Sequence, residues 1–137
     1  MTFLIERLAE LRQQLDHLSK IKAQVTDKTS LERDLSLHND VMFSLLVICQ
    51  SVIDIAGELA GRQGIRYSDY REAVLSLGKL DGFETDLVNR LGLLPGFRNV
   101  LVHDYVSLDY ERVVEALENM EPVEQFIRIV GNMEGEG

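Results

Sequence analysis

Cysteine occurs once, as Cys49 within LLVICQSVI. A single cysteine builds no disulfide framework, so nothing points to secretion, and its apolar neighbours make it a small core hydrophobe. Histidine occurs three times, at His17, His38 and His103, far apart and never as His-x3-His. With no CxxC either, a metal site has no support. Glycine-rich phosphate loops are missing, as are the local signatures of serine or cysteine nucleophiles. No segment alternates apolar and polar residues, and no hairpin dipeptide occurs, which leaves no sign of a sheet. An uninterrupted apolar span is lacking too. The most apolar run, VMFSLLVICQSVIDIAGELA, contains Gln50, Asp54 and Glu58 and reads as a buried core helix instead of a membrane span. The opening MTFLIERLAELRQQL scatters acids and bases among its leucines, unlike a signal peptide. A cytoplasmic protein with no membrane segment and no cofactor is the expectation.

What is present fits one all-α domain. The chain has 137 residues, enough for one real core, and 45% of them are hydrophobic. The net charge of −9 is unevenly spread. Residues 101–137 hold two basic and nine acidic side chains, whereas residues 61–100 hold six basic and five acidic ones. Global electrostatics therefore give no help in finding a polyanion, but a cleft lined by arginines would still bind one.

The helices read from apolar spacing. Leu4, Leu8, Leu11, Leu15, Leu18 and Val25 form a heptad-like stripe, broken at Lys22, that predicts a helix over 2–24. Its narrow seam suits one partner helix, in the same chain or in a second copy. TSLE at Thr29–Glu32 reads as a capping box opening a long helix through Leu31, Leu35, Leu45, Cys49, Ile53 and Ala60, ended by Gly61 and Gly64. DYRE at Asp69–Glu72 opens a short helix that stops near Gly82, and another starts near Glu84. Pro95-Gly96 is expected to break or kink that helix, Asp109 to cap the last one, Pro122 to bend it, and 131–137 to fray. The domain then consists of an N-terminal helix over 1–28, a bundle core over 29–130 and a tail.

The chemistry concentrates in GFRNVLVHDY, Gly96–Tyr105. At about 100° per residue, Tyr105 falls about 20° from Arg98, while Asn99 and His103 fall near 100° and 140°. Arg98 and His103 thus diverge on an ideal helix. A distorted helix start or a cleft with two walls would bring them together. The residue types fit phosphodiester cleavage without a metal. Arginine grips two non-bridging oxygens and stabilises a pentacoordinate transition state. Histidine exchanges the proton of a ribose 2′-hydroxyl or of the leaving oxygen. A complete cycle needs two proton groups, so one histidine per chain points to a second copy or another residue. The plain alternative is a surface arginine and a packed histidine. Asp54 and Glu58 share one face of the apolar helix, either pairing structurally with arginines or serving as an acidic auxiliary in a cleft.

GFRNVLVHDYVSLDYERVVEAL, Gly96–Leu117, resembles the signature segment of HepT-like toxins of the HEPN group, whose pattern is Arg-x4-His-x-Tyr with a polar residue after the arginine. SVIDIAGELA and YSDYREAVLSL resemble the same family's central helix and the helix after it. The resemblance covers most of Leu31–Leu117. It implies a HEPN-type antiparallel bundle of about five helices and a homodimer whose two motifs face one cleft. It also implies a metal-independent endoribonuclease acting as a toxin on RNA. Arg98 and His103 would be catalytic, with Asn99 supporting; Asp54 is a supporting candidate from its own position on the apolar helix. A minimal nucleotidyltransferase (MNT-type) antitoxin would neutralise the toxin by adenylylating Tyr105. Two other functions remain open at this point: a non-catalytic helical partner that binds nucleotide or substrate for a nucleotidyltransferase, and a bare dimer built on the Leu4–Val25 seam.

Overall fold

A computed structural model describes residues 2–103 and 107–136. These residues form helices and connecting turns, with no strand among them. α1 spans Thr2–Ile21, α2 Lys28–Arg33, α3 Leu35–Arg62, α4 Tyr70–Leu75, α5 Thr85–Leu91, α6 Leu94–His103, α7 Tyr110–Glu118 and α8 Glu121–Glu136. Short 3-10 turns extend α1 to Gln24 and α4 to Lys79.

α3 is the axis of the bundle. Its length and composition would suffice to cross a membrane, yet more than half of its most apolar window is buried among the other helices. The leucine stripe of α1 lies along it: Leu4, Leu11, Leu15 and Leu18 are buried against the cluster that holds Val41, Leu45, Ile48, Val52 and Ile55. Each such side chain taken from water contributes roughly 1.5–3 kcal/mol. Polar pairs fix the direction. Arg7 meets Asp54, Gln14 meets Ser44, and His17 meets Asp40, so rising numbers on α1 match falling numbers on α3, and the helices are antiparallel. The seam is therefore filled by the same chain, which removes the bare-dimer reading. α8 closes the far side through Phe126, fully buried with its ring 6.1 Å from that of Phe83.

Several helix boundaries differ from expectation, each for a local reason. Thr29 caps nothing. Asp27 caps α2 through Ser30 N (3.2 Å), and Asp34 caps α3 through Leu37 N (3.1 Å). Asp34 is extended, so the chain turns there and one expected helix becomes two, leaving Leu35 exposed at the start of α3. Gly61 lies within α3, and the helix stops at Gln63 and Gly64, whose φ of +68° suits glycine. Pro95 and Pro122 sit in the first turns of α6 and α8, where a missing N–H costs no intrahelical bond. Of the break or kink expected at Pro95-Gly96, the structure shows a break just ahead of it: α5 ends at Leu91 and α6 starts afresh at Leu94, with Pro95 and Gly96 inside its first turn. The bend expected at Pro122 is a break between two helices. The tail is helical to Glu136, held by Met133 on the core and by Arg62 Nη1 donating to Glu134 at 2.8 Å. Asp69 and Asp109 cap α4 and α7 as expected.

Candidate functional site

α6 carries the motif. Pro95, Phe97 and Leu101 face the core, which orients the helix and leaves Arg98 half-buried, with Asn99 and His103 exposed. Because α6 runs regularly from Leu94 to His103, the separation of about 140° between Arg98 and His103 holds in the fold. One chain brings the arginine and the histidine onto one helix but not onto one face. Tyr105 lies outside the described residues.

Arg98 leans back onto α3. Its Nε donates to Gln50 Oε1 at 3.0 Å, and Nη1 donates to Asn99 Oδ1 at 3.1 Å. Its guanidinium carbon is 5.5 Å from the centroid of the Tyr70 ring on α4. Gln50 Nε2 in turn donates to Asp54 Oδ1 at 2.8 Å. The amide orientation follows from chemistry: a guanidinium only donates and a carboxylate only accepts, so only an amide turned this way bridges both. Arg7 Nε is 3.7 Å from the other Asp54 oxygen. Asp54 is thus paired with an arginine, as one reading expected, and also connected through Gln50 to the motif arginine. Glu58 pairs with Arg62 one turn along (3.8 Å).

These groups wall a cleft of about 350 Å³, lined by Arg7, Gln50, Asp54, Arg98 and Val102 among others. Among the described residues the hydrogen-bond acceptors around Arg98 are two neutral amides, which leaves its charge available to an anion. Cys49 sits behind the cleft, and burial pushes its thiol up to about 12 against the opposing pull of Arg98. It is inert as a nucleophile. His17 is exposed and bonds Asp40 at 2.8 Å, and His38 stacks edge-on against Tyr110, so neither joins the cleft. Among the described residues no group of three His, Cys, Asp or Glu side chains is placed to hold a metal.

Gln50, Tyr70 and Arg7 were not marked by sequence reasoning. Gln50 carries a signal in hindsight, because an amide four residues before Asp54 on an apolar helix needs a polar partner. Tyr70 and Arg7 carry none, since only the packing of α1 and α4 on α3 brings them near Arg98. Asn99 was grouped with His103, yet its side chain holds the arginine.

An all-helical bundle with an arginine-bearing cleft beside the Arg-x4-His helix defines a HEPN-type protein. The family model described as ribonuclease HepT-like matches residues 11–130, and the chain belongs to that family. It is 27% identical over 130 residues to a protein of Shewanella oneidensis named mRNA nuclease HepT, covering 93% of this chain and 95% of that one. It is 30% identical over 116 residues to the tRNA nuclease HepT of Aphanizomenon flos-aquae, covering 81% and 75%. Among solved structures, the tri-AMPylated Shewanella oneidensis HEPN toxin in complex with its MNT antitoxin superposes with a TM-score of 0.79 at 26% identity, covering 94% of this chain and 96% of the other.

Proposed function

We propose that this protein is the toxin of a HEPN/MNT pair, a metal-independent endoribonuclease that works as a homodimer. The observation that carries the reading is Arg98, half-buried at a cleft, steered by Gln50, Asn99 and Tyr70, with no carboxylate among the described residues paired to its charge. An arginine kept in this state is prepared for a phosphate.

In the proposed reaction RNA supplies the nucleophile. The 2′-oxygen attacks phosphorus, His103 takes the hydroxyl proton, and the bond to the 5′-oxygen breaks. Arg98 stabilises the charge on the non-bridging oxygens as the pentacoordinate state forms. The 5′-oxygen leaves with a proton from the same histidine of a second copy. The products are a 2′,3′-cyclic phosphate and a 5′-hydroxyl end. Geometry supports the dimer: Arg98 and His103 diverge on a straight helix, so a phosphate held by one chain's arginine is best served by a histidine from a facing copy. Half-exposed Leu46 and Val47 and the exposed Phe43 continue the cleft side of α3 and offer an apolar surface for that copy. Asn99 and Gln50 position the guanidinium, and Asp54 orients Gln50.

An MNT-type antitoxin is the proposed partner, silencing the toxin by adenylylation of Tyr105. An added AMP would bring negative charge and bulk near Arg98 and occupy the site an RNA phosphate needs. The relatives are named for different RNAs, so the proposal extends to RNA as a class.

The test is cleavage of end-labelled RNA in EDTA by wild type, Arg98→Ala and His103→Ala. Cyclic-phosphate ends from wild type and at least a hundredfold loss in both variants are expected. Equal cleavage by wild type and His103→Ala, or none by wild type across mRNA and tRNA, would overturn the reading. Mass spectrometry of the chain co-expressed with the antitoxin should place AMP on Tyr105.

A further inference from the structure

A second, larger groove lies on the neighbouring flank of α6, between α4 and α5 on one side and α7 on the other, with a volume of about 610 Å³. Arg71, Arg90 and Arg112 line it. All three are exposed, and among the described residues no carboxylate forms an ion pair with any of them. Arg7, Arg12 and Arg62, on α1 and α3, meet carboxylates, whereas among the described residues Arg33, Arg66 and Arg128 also form no ion pair; what sets Arg71, Arg90 and Arg112 apart is that they gather around one groove. In a chain of net charge −9, three arginines left free around one groove form a local reversal of sign.

Between the cations the lining is apolar. Leu93 is 71% exposed there, and Arg112 covers the Phe97 ring with its guanidinium carbon 5.9 Å from the centroid. Glu115 is the one acid among the lining residues. Rows of cations interleaved with apolar faces are what a single nucleic-acid strand uses, phosphates on the guanidiniums and bases on the platforms. An acidic protein segment would satisfy the charges but has less use for the exposed leucine.

The groove is also aimed at the motif. Arg71 follows Tyr70, whose ring lies under Arg98. Gly96, on the groove wall, is seven residues before His103 and therefore shares its stripe on α6. A Cβ at Gly96 would meet nothing within 4 Å, so the wall there is open.

We propose that the Arg71–Arg90–Arg112 groove is the track for the RNA strand flanking the scissile phosphate, which sets affinity for extended single-stranded RNA while Arg98 and His103 do the chemistry. The proposal rests on the ribonuclease reading, and its test is kept apart from cleavage. The full-length protein carrying His103→Ala, which removes turnover, is titrated with a fluorescein-labelled single-stranded RNA, and anisotropy is followed from low to high NaCl. The same titration is made with Arg71→Ala, Arg90→Ala and Arg112→Ala combined, and with all three changed to Lys.

Three phosphate contacts correspond to a fall of about 2 in the slope of log affinity against log salt. The triple alanine variant should lose that much slope and bind at least tenfold more weakly at low salt, with unchanged thermal midpoint, and the lysine variant should recover most of it. A triple alanine variant with wild-type affinity and slope would overturn the proposal, including the case in which that variant loses only its hold on the nucleotidyltransferase. Failure of the ribonuclease reading shows separately, as binding with normal slope by a wild-type protein that cleaves nothing.

Discussion

Replacing Gln50 with leucine tests the link between the bundle axis and the motif arginine. Leucine keeps most of the volume but removes two hydrogen bonds, the one Arg98 Nε donates at 3.0 Å and the one given to Asp54 at 2.8 Å. Hydrogen bonds to charged groups are worth about 1.5–3 kcal/mol each, and both sites here are partly open to water, which favours the low end. Asp54 keeps Arg7 and solvent, so folding should lose only about 1 kcal/mol, a few degrees in the thermal midpoint. Arg98 keeps Asn99 and the Tyr70 ring but loses the contact that fixes its Nε edge. A loss of about 1.5 kcal/mol in transition-state placement is roughly a tenfold fall in kcat/KM. Gln50→Glu should lose more, because a carboxylate on Nε neutralises the charge a phosphate needs and crowds Asp54. The assay is cleavage of a labelled RNA at concentrations below KM, alongside thermal melts. Wild-type kcat/KM in Gln50→Leu, with the fold intact, would refute the idea that α3 positions Arg98.

Other outcomes follow from the packing and the caps. Phe126→Ala, at a fully buried ring against Phe83, should cost about 3–5 kcal/mol and lower the melting midpoint by about 10 °C or more, read by circular dichroism. Asp34→Ala should cost about 1 kcal/mol in denaturant titration, whereas Thr29→Ala should be near neutral, since Asp34 caps α3 and Thr29 caps nothing. Cys49 has its thiol pushed up to about 12 from an ordinary 9.0, so the folded protein keeps a proton that the unfolded chain releases earlier. Stability should therefore fall as pH rises from about 9.0 toward about 12, and Cys49→Ala should remove that part of the fall. At pH 8 the native thiol should resist a thiol reagent until the chain is unfolded.

The helical class, the core face of α1 and the identity of α3 as the axis were legible because burial repeats with helical period. Leu4, Leu11, Leu15 and Leu18 show this directly. Boundaries were less legible where two signals competed. Thr29–Glu32 looked like a cap, but aspartates on either side took the role, and the prolines proved compatible with helix starts. The Arg98, Asn99 and His103 motif was legible through its resemblance, together with Tyr105 and the flanking phrases, to the HepT-like signature, since an arginine and a histidine five apart are common by spacing alone. Gln50 and Tyr70 were not, since their connection to Arg98 spans 48 and 28 positions.

The sequence by itself determined that the chain is helical, which stripes are buried, and that arginine and histidine ride on one helix about 140° apart, because these depend only on local backbone geometry and the order of side chains. Tertiary structure alone decided what surrounds them. Packing α4 and α6 on α3 put Tyr70 and Gln50 against Arg98 and gathered Arg71, Arg90 and Arg112 around a second groove. Such neighbourhoods arise from contacts between residues distant in the chain, and no local spacing encodes them.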